Sequence, residues 1–187
     1  MLRVLNHLTW KTFAEFMHLS TVRAPCFAAV FKEVDEPLHL AMSELSLSKE
    51  FLQGRSDATE EPYGVRYEIM EVPVALPFQK PQDAKSNPKQ GIGVMSWSWS
   101  NDSRYIYTRN DSMPAALWIW DIHHLELAAI LVQKDPIRAA AWDPTTCSRL
   151  VLCTGSSHFC LVLKDKDSFC CAAMPLLPES SEYSSDE

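Results

Sequence analysis

Glycine is scarce in this sequence, with five residues in 187, under half of the ~7% usual in proteins. Tight turns between short strands ordinarily recruit glycine for positive φ, so an all-β chain of this composition must turn on Asn, Asp and Pro instead. Basic charge is also scarce. The 17 Lys and Arg are scattered and outnumbered by 24 Asp and Glu. Four of the acids lie in the last nine residues, which leaves a net charge of only −3 on residues 1–178. Neutralising phosphates takes a clustered basic excess, so no nucleic-acid partner is expected. No run of about 18 apolar residues exists to span a bilayer as a helix. The start, Met1 to His7, lacks the charged head and apolar stretch of a secretory signal. An intracellular chain with no membrane partner is therefore expected, its cysteines reduced and buried as small apolar groups. The Asn-Asp-Ser triplets at Asn101 and Asn110 then read as turns rather than glycosylation acceptors.

The familiar site motifs are missing as well. Cys147, Cys153, His158, Cys160, Cys170 and Cys171 form the one cluster rich in metal-ligand types, but no Cys-x-x-Cys pair occurs in it, and zinc sites usually use such pairs. Packing explains these residues better, and a Cys/His metalloenzyme is the remote alternative. The adjacent imidazoles of His123 and His124 read as a solvated turn. Gly155-Ser156-Ser157-His158 lacks the Gly-x-Ser-x-Gly elbow of a nucleophile, and no Gly-rich phosphate loop is present. The expectation is therefore no enzyme, no cofactor, no metal and no small-molecule substrate.

What the sequence does have is repetition. Short β-branched and aromatic runs broken by Asn, Asp, Ser and Pro predict strands at 92–100, 104–109, 116–121 and 125–132, then at 137–142, 149–154, 158–163 and 167–174. Trp99-Ser100-Asn101-Asp102 aligns with Trp142-Asp143-Pro144-Thr145 at a spacing of 43 residues. A four-strand unit of ~40–45 residues whose third strand closes with Trp-Asp, here Trp120-Asp121, is the mark of a β-propeller blade. The fold class predicted is all-β: a partial propeller of about two and a half four-stranded blades, with a long insertion and a disordered acidic tail.

Residues 1–18 align with the last two strands of a blade and predict a half blade. Residues 19–90 predict an insertion, far longer than common connections, with alternating stretches at 28–34 and 66–76. Leu38, Met42, Leu45 and Leu52, followed by Gly54, predict a short amphipathic helix within it. A full blade at 91–134 and a degenerate one at 135–176 follow. The acidic, Ser-rich tail 177–187 should be disordered, either as a solubilising tail or with Ser184 as a phosphosite, since acids lie two and three residues downstream.

Blades of this kind often carry a buried relay through a His before the first strand, a Ser or Thr in the second, the Trp of the third and an Asp in a turn. Thr108, Asp111 and Trp120 supply three members in the first full blade, and the sequence shows no His for the fourth. In the second blade Thr154 alone remains, with Leu163 read at the place of the Trp. The role of such a relay is structural, because buried polar groups left unpaired cost ~1–3 kcal/mol each.

A resemblance is carried by strings running in order from residue 4 to about 163. Among them are Val4-Leu5-Asn6-His7-Leu8-Thr9-Trp10-Lys11, Phe31-Lys32-Glu33-Val34, Tyr67-Glu68-Ile69 with Val72-Pro73-Val74, and Asn87-Pro88-Lys89 with Gly91-Ile92-Gly93. Further on come Thr108-Arg109-Asn110-Asp111, Trp118-Ile119-Trp120-Asp121-Ile122, Pro136-Ile137-Arg138-Ala139, Trp142-Asp143-Pro144 and Cys153-Thr154-Gly155. Together they resemble the centrosomal WD-repeat family of WD repeat-containing protein eight, with a poor match across 37–62 and after 164. The resemblance implies a non-enzymatic scaffold of the cytoplasm and cytoskeleton, at the centrosome, centriolar satellites and spindle poles. Its implied partner is an SSX-interacting coiled-coil centrosomal protein, and its implied roles are spindle assembly, microtubule anchoring and ciliogenesis. Family members carry more repeats before the point matching Leu2 and a further blade after Gly155, so the chain is expected to be a C-terminal fragment, a splice form or a partial gene product. A generic WD-repeat adaptor, such as a ubiquitin-ligase substrate receptor, is the alternative reading.

Overall fold

A computed structural model describes residues 1–37, 63–79, 93–146, 148–165 and 168–176. Every regular element among them is a strand. In chain order these are β1 (Leu2–Leu5), β2 (Thr12–Phe16), β3 (Thr21–Val22), β4 (Ala29–Pro37), β5 (Tyr63–Met70), β6 (Val74–Ala75) and β7 (Val94–Trp99). They continue with β8 (Tyr105–Asn110), β9 (Met113–Asp121), β10 (Glu126–Val132), β11 (Ala139–Trp142), β12 (Arg149–Cys153), β13 (His158–Asp165) and β14 (Ser168–Pro175). The predicted helix at 38–54 lies outside the described residues.

β7 to β10 form one antiparallel blade and β11 to β14 a second. The fold is a partial WD-repeat β-propeller. Glycine serves the turn between β12 and β13, where Gly155 takes a φ of 91° and an added Cβ would meet the Arg138 side chain at 2.8 Å, but other turns work without it. Ser100 Oγ accepts the Tyr105 N–H (2.9 Å), and Asp102 accepts the Arg104 N–H (3.1 Å). Asn6 Oδ1 accepts the N–H groups of Leu8 and Thr9 at 3.0 Å. Non-glycine residues Trp10, Ser103 and Leu125 take φ of 56°, 57° and 56°, which side chains other than Asn and Asp adopt at some cost.

The insertion contributes to the first blade. β4 pairs in parallel with β10, from Ala129↔Ala29 to Val132↔Lys32, and β5 closes an antiparallel hairpin on β4. The blade becomes a six-stranded sheet ordered β5-β4-β10-β9-β8-β7, and the backbone edge of β10 is covered rather than left open. Residues 66–76, predicted as one stretch, instead make two strands. The ladder stops before Pro73, which has no N–H to donate, and β6 then pairs with β3 as a separate two-stranded ribbon.

Burial follows from this layering. β9 reads Met-Pro-Ala-Ala-Leu-Trp-Ile-Trp-Asp and is buried along nearly its whole length, as expected of a strand covered on both faces. On one face Ile106, Trp118, Trp120 and Ile130 pack with Ala14, Phe16, Val22 and Val74 from β2, β3 and β6. On the other face Tyr107, Leu117, Ile119 and Leu131 pack with Leu150, Leu152, Cys160 and Val162 of the second blade. Hydrogen bonds pin the blades together: Trp142 Nε1 donates to the Ser98 carbonyl (3.1 Å), Tyr107 OH to the Ala140 carbonyl (2.7 Å) and the Asn101 amide to the Pro144 carbonyl (3.0 Å). β1 and β2 cover the outer strands of the first blade. On the inner strand β7, Trp97 stays 56% exposed.

Candidate functional site

The relay in the first blade is built around Thr108, fully buried in mid-β8. Trp120 lies across from Ile106 in the β8–β9 ladder, and its Nε1–H donates to Thr108 Oγ1 at 2.7 Å. His18 Nε2 meets the same oxygen at 2.7 Å. The threonine hydroxyl, with one hydrogen and two lone pairs, can serve both rings at once. His18 also sets its edge against Trp118 at 4.7 Å and Trp120 at 5.6 Å between ring centres, and Phe16 stacks on Trp120 at 4.8 Å. Burial, with a smaller contribution from the positive N-terminus, lowers His18 from 6.5 to about 4.

The histidine that the sequence reading found missing is therefore present, 90 residues before Thr108. The insertion follows His18 and separates it from the blade it serves. The relay does not extend to the turn. His18 Nδ1 is buried without a partner, and Asp111 donates its backbone N–H to the Gly93 carbonyl (2.9 Å). No hydrogen bond of its carboxylate is found among the described residues.

Asp121 organises the corner after β9. Its Oδ1 accepts the backbone N–H groups of His123 (2.8 Å) and His124 (3.2 Å), while Oδ2 meets His124 Nδ1 at 3.0 Å and Arg104 Nη2 at 3.2 Å. Burial alone would raise this carboxyl. The bonds from His124, His123 and Arg104 outweigh it and hold Asp121 below the usual carboxylate range. Desolvation pushes the neighbouring Tyr105 up to about 12, against the opposing effect of Arg104. A recess of about 420 Å³ opens here between the outer strands of the two blades, with Tyr105, Leu127 and Phe169 among its lining residues and Phe27 and Ile69 of the inserted region at its margin. Phe27 is 94% exposed.

A second buried network ties the inserted hairpin to the second blade. Glu33 on β4 is 4% exposed, and its Oε1 accepts from His158 Nε2 at 2.8 Å while Oε2 accepts the Lys134 N–H at 2.9 Å. Ser156 Oγ bridges Thr154 Oγ1 (2.9 Å) and His158 (3.4 Å to Nδ1, 3.2 Å to the carbonyl, to which it donates). Tyr67 OH donates to Gln133 Oε1 at 2.8 Å. Burial, then the Cys160 thiol, hold this phenol well above its ordinary value. A hydrogen bond to Cys160, then burial, do the same for the Cys171 thiol. The register also corrects one assignment. Thr108 pairs with Trp118 and Ile106 with Trp120, while Leu152 pairs with Cys160 and Leu150 with Val162. Val162, not Leu163, stands in the place of Trp120.

The cysteine-rich cluster does not converge. Cys160 and Cys171 face the inter-blade core, Cys170 is exposed, and Cys147 lies outside the described residues, as does Ser184. Among the described residues no group of three or more His, Cys, Asp and Glu side chains is placed to hold a metal. The polar clusters at Thr108, Asp121 and Glu33 have their members tied to neighbouring strands and turns, so their chemistry is that of fixing blades in place.

A four-stranded unit closed by Trp120-Asp121, a His–Thr–Trp relay and packed successive sheets define a WD-repeat propeller protein. The chain is 38% identical over 155 residues to the mouse protein WD repeat-containing protein WRAP73, a match covering 83% of this chain, and it belongs to that WD-repeat family. It spans 32% of the length of that relative. No family model matches the chain, and no solved structure matches it.

Proposed function

We propose that the chain is a non-enzymatic scaffold segment that works through protein–protein contacts at the centrosome and spindle pole, in the cytoplasm and cytoskeleton. In this role it supports microtubule anchoring, spindle assembly and ciliogenesis together with an SSX-interacting coiled-coil protein. The observation that carries the scaffold reading is the use of two half-buried imidazoles. His18 and His158 hydrogen-bond to Thr108 and Glu33 and join separate elements, an arrangement that serves packing. The centrosomal part of the reading is supported by the ordered landmark strings, and the scaffold part also by the mouse relative.

The test is imaging of the tagged chain in dividing cells, with and without depletion of the coiled-coil protein. Propeller binding surfaces are spread over several blades, and specific interfaces commonly bury ~1,200–2,000 Å², so the expected result is faint enrichment at spindle poles that disappears on depletion. Strong pole localisation that survives depletion would overturn the proposed partner, and an even cytoplasmic signal would overturn the proposed site.

A further inference from the structure

The turn between β1 and β2 and the turn between β9 and β10 are built alike. Asn6 Oδ1 accepts the N–H groups of Leu8 and Thr9, and Asp121 Oδ1 accepts those of His123 and His124. Four residues after each acceptor, Trp10 and Leu125 both take a φ of 56°. Just beyond, each ladder slips by one residue, at Phe13 and at Ala128. A left-handed position beside such a bulge is where glycine serves at least cost. Large apolar residues hold it in both turns instead, and they face solvent. Trp10 is 76% exposed, Leu125 43% and Leu8, two residues before Trp10, 77%. A strained backbone kept twice under an exposed apolar side chain points to a use for that side chain.

Both turns project from one end of the packed sheets. β2 leaves its turn, lays Phe16 against Trp120 near the β9–β10 corner, and then brings His18 to Trp118 further along. The recess of about 420 Å³ opens at the same end, with Phe27 at its margin. The described residues that border 38–62, 80–92 and 177–187 lie at the other end. Pro37 pairs with Tyr63 at the far tip of β4–β5, Gln79 and Gly93 bond to Ser112 and Asp111, and Leu176 bonds to Ser157. A further blade would stand face to face with these sheets and leave the ends of their strands uncovered.

We propose that this end binds an amphipathic α-helix of a partner protein, laid across the two turns. The proposal rests on the scaffold reading above and assigns its contact surface. Sheets packed face to face lie about 10 Å apart, which sets the step from Trp10 to Leu125. On a helix, residues i and i+7 share one face about 10.5 Å apart, at 1.5 Å per residue. An extended strand fits poorly, because a step of about 10 Å is three residues and side chains three apart point to opposite faces. The recess between the two blades is next in line after Leu125 and takes the apolar residue at i+11, which continues the same stripe. Charge favours acidic flanks on this helix. Asn6 to Lys11 and Ile122 to Leu125 hold Lys11 and three histidines but no acid, and Arg104 and Lys164 stand over the Tyr105 ring at the recess. Against them the recess sets Glu126 and Asp121, and Asp121 is already bonded by His124 and Arg104.

The probe is a fluorescein-labelled alanine–glutamate peptide with leucines at i, i+4, i+7 and i+11, and its control has the same composition with leucines at alternate positions. Fluorescence anisotropy with the full chain should show saturable binding of the first peptide only. Leu125→Gly and Trp10→Gly should each weaken it at least tenfold without lowering the melting temperature, since glycine relieves the left-handed backbone. A purely structural role for these side chains predicts the reverse. Asp135→Asn, after β10 at the other end, should leave binding unchanged, and replacing the peptide's glutamates by lysines should weaken it several-fold. Absent binding, equal binding of the control, indifference to both glycine variants, or a loss that tracks a lowered melting temperature would each overturn the proposal. The probe carries no natural partner sequence, so such a failure strikes this surface alone, and the cellular reading is decided separately by the imaging.

Discussion

Thr108 is where the first blade is most sensitive to single atoms, because one fully buried hydroxyl serves two rings. Trp120→Ala removes one ring together with its stacking on Phe16 and should cost about 3–5 kcal/mol, the range for large buried aromatics. Trp10→Ala, 76% exposed in a turn, should cost far less, and equal protease sensitivity of the two variants would show the blade assignment to be wrong. The imidazole gives a pH dependence of definite sign. His18 titrates near 6.5 when unfolded and near 4 when folded, so between those values the unfolded chain holds the extra proton and stability falls as pH drops. Thermal unfolding between pH 7 and 4 should show this decline, and His18→Gln, which still offers Thr108 a hydrogen-bond partner, should flatten it. Asp121 adds a further loss only below about pH 4, since its lowered value makes the ionised form the stabilising one. Half of this site was legible beforehand: Thr108 and Trp120 sit on a repeat that announces itself, whereas His18 does not, because an insertion longer than the blade itself stands between them. Glu33 and His158 were invisible as a pair for the same reason, at a separation of 125 residues.

The inserted hairpin β4–β5 is the element whose role the sequence could not show. Alternation along β7, β12 and β14 is a local signal and was read to within a few residues. Parallel addition of β4 to β10 is not local, since a strand's own pattern says nothing about which edge it will cover. The same blindness to pairing misplaced Leu163 at the site of the tryptophan, because the turn between β12 and β13 differs from that between β8 and β9 and a fixed offset does not survive the change. The Glu33 carboxylate accepts from both His158 and the Lys134 backbone, and Lys134 Nζ also pairs with Asp35. Glu33→Ala strips the hairpin of its buried anchor and leaves two donors without partners, each worth ~1–3 kcal/mol. Limited proteolysis should then cut near Tyr67 and Phe31 well before β8 or β9 is touched. Cleavage that instead begins in β9 would show that the hairpin and blade unfold as one unit and that Glu33 is not its latch.

At the scale of the whole molecule, the described strands make two blades and half of another, whereas a closed propeller takes ~4–8. Closure is what removes sheet edges and covers the last blade's outer face. Among the described residues Trp97 on β7, Phe13 on β2 and Met174 on β14 are 56%, 57% and 40% exposed, far from the burial of their counterparts between the blades. The core that does form is shared unequally. β9 is buried on both faces, while the second blade is buried on one face only. Unfolding should therefore begin at β11–β14, which has a neighbour on one side, and proceed inward. The expected thermal profile of the isolated chain is broad, with the second blade losing amide protection from hydrogen exchange before β8 and β9 do. A steep, concentration-independent transition from a monodisperse monomer by light scattering would contradict this, for it would mean that two and a half blades bury enough surface to stand alone.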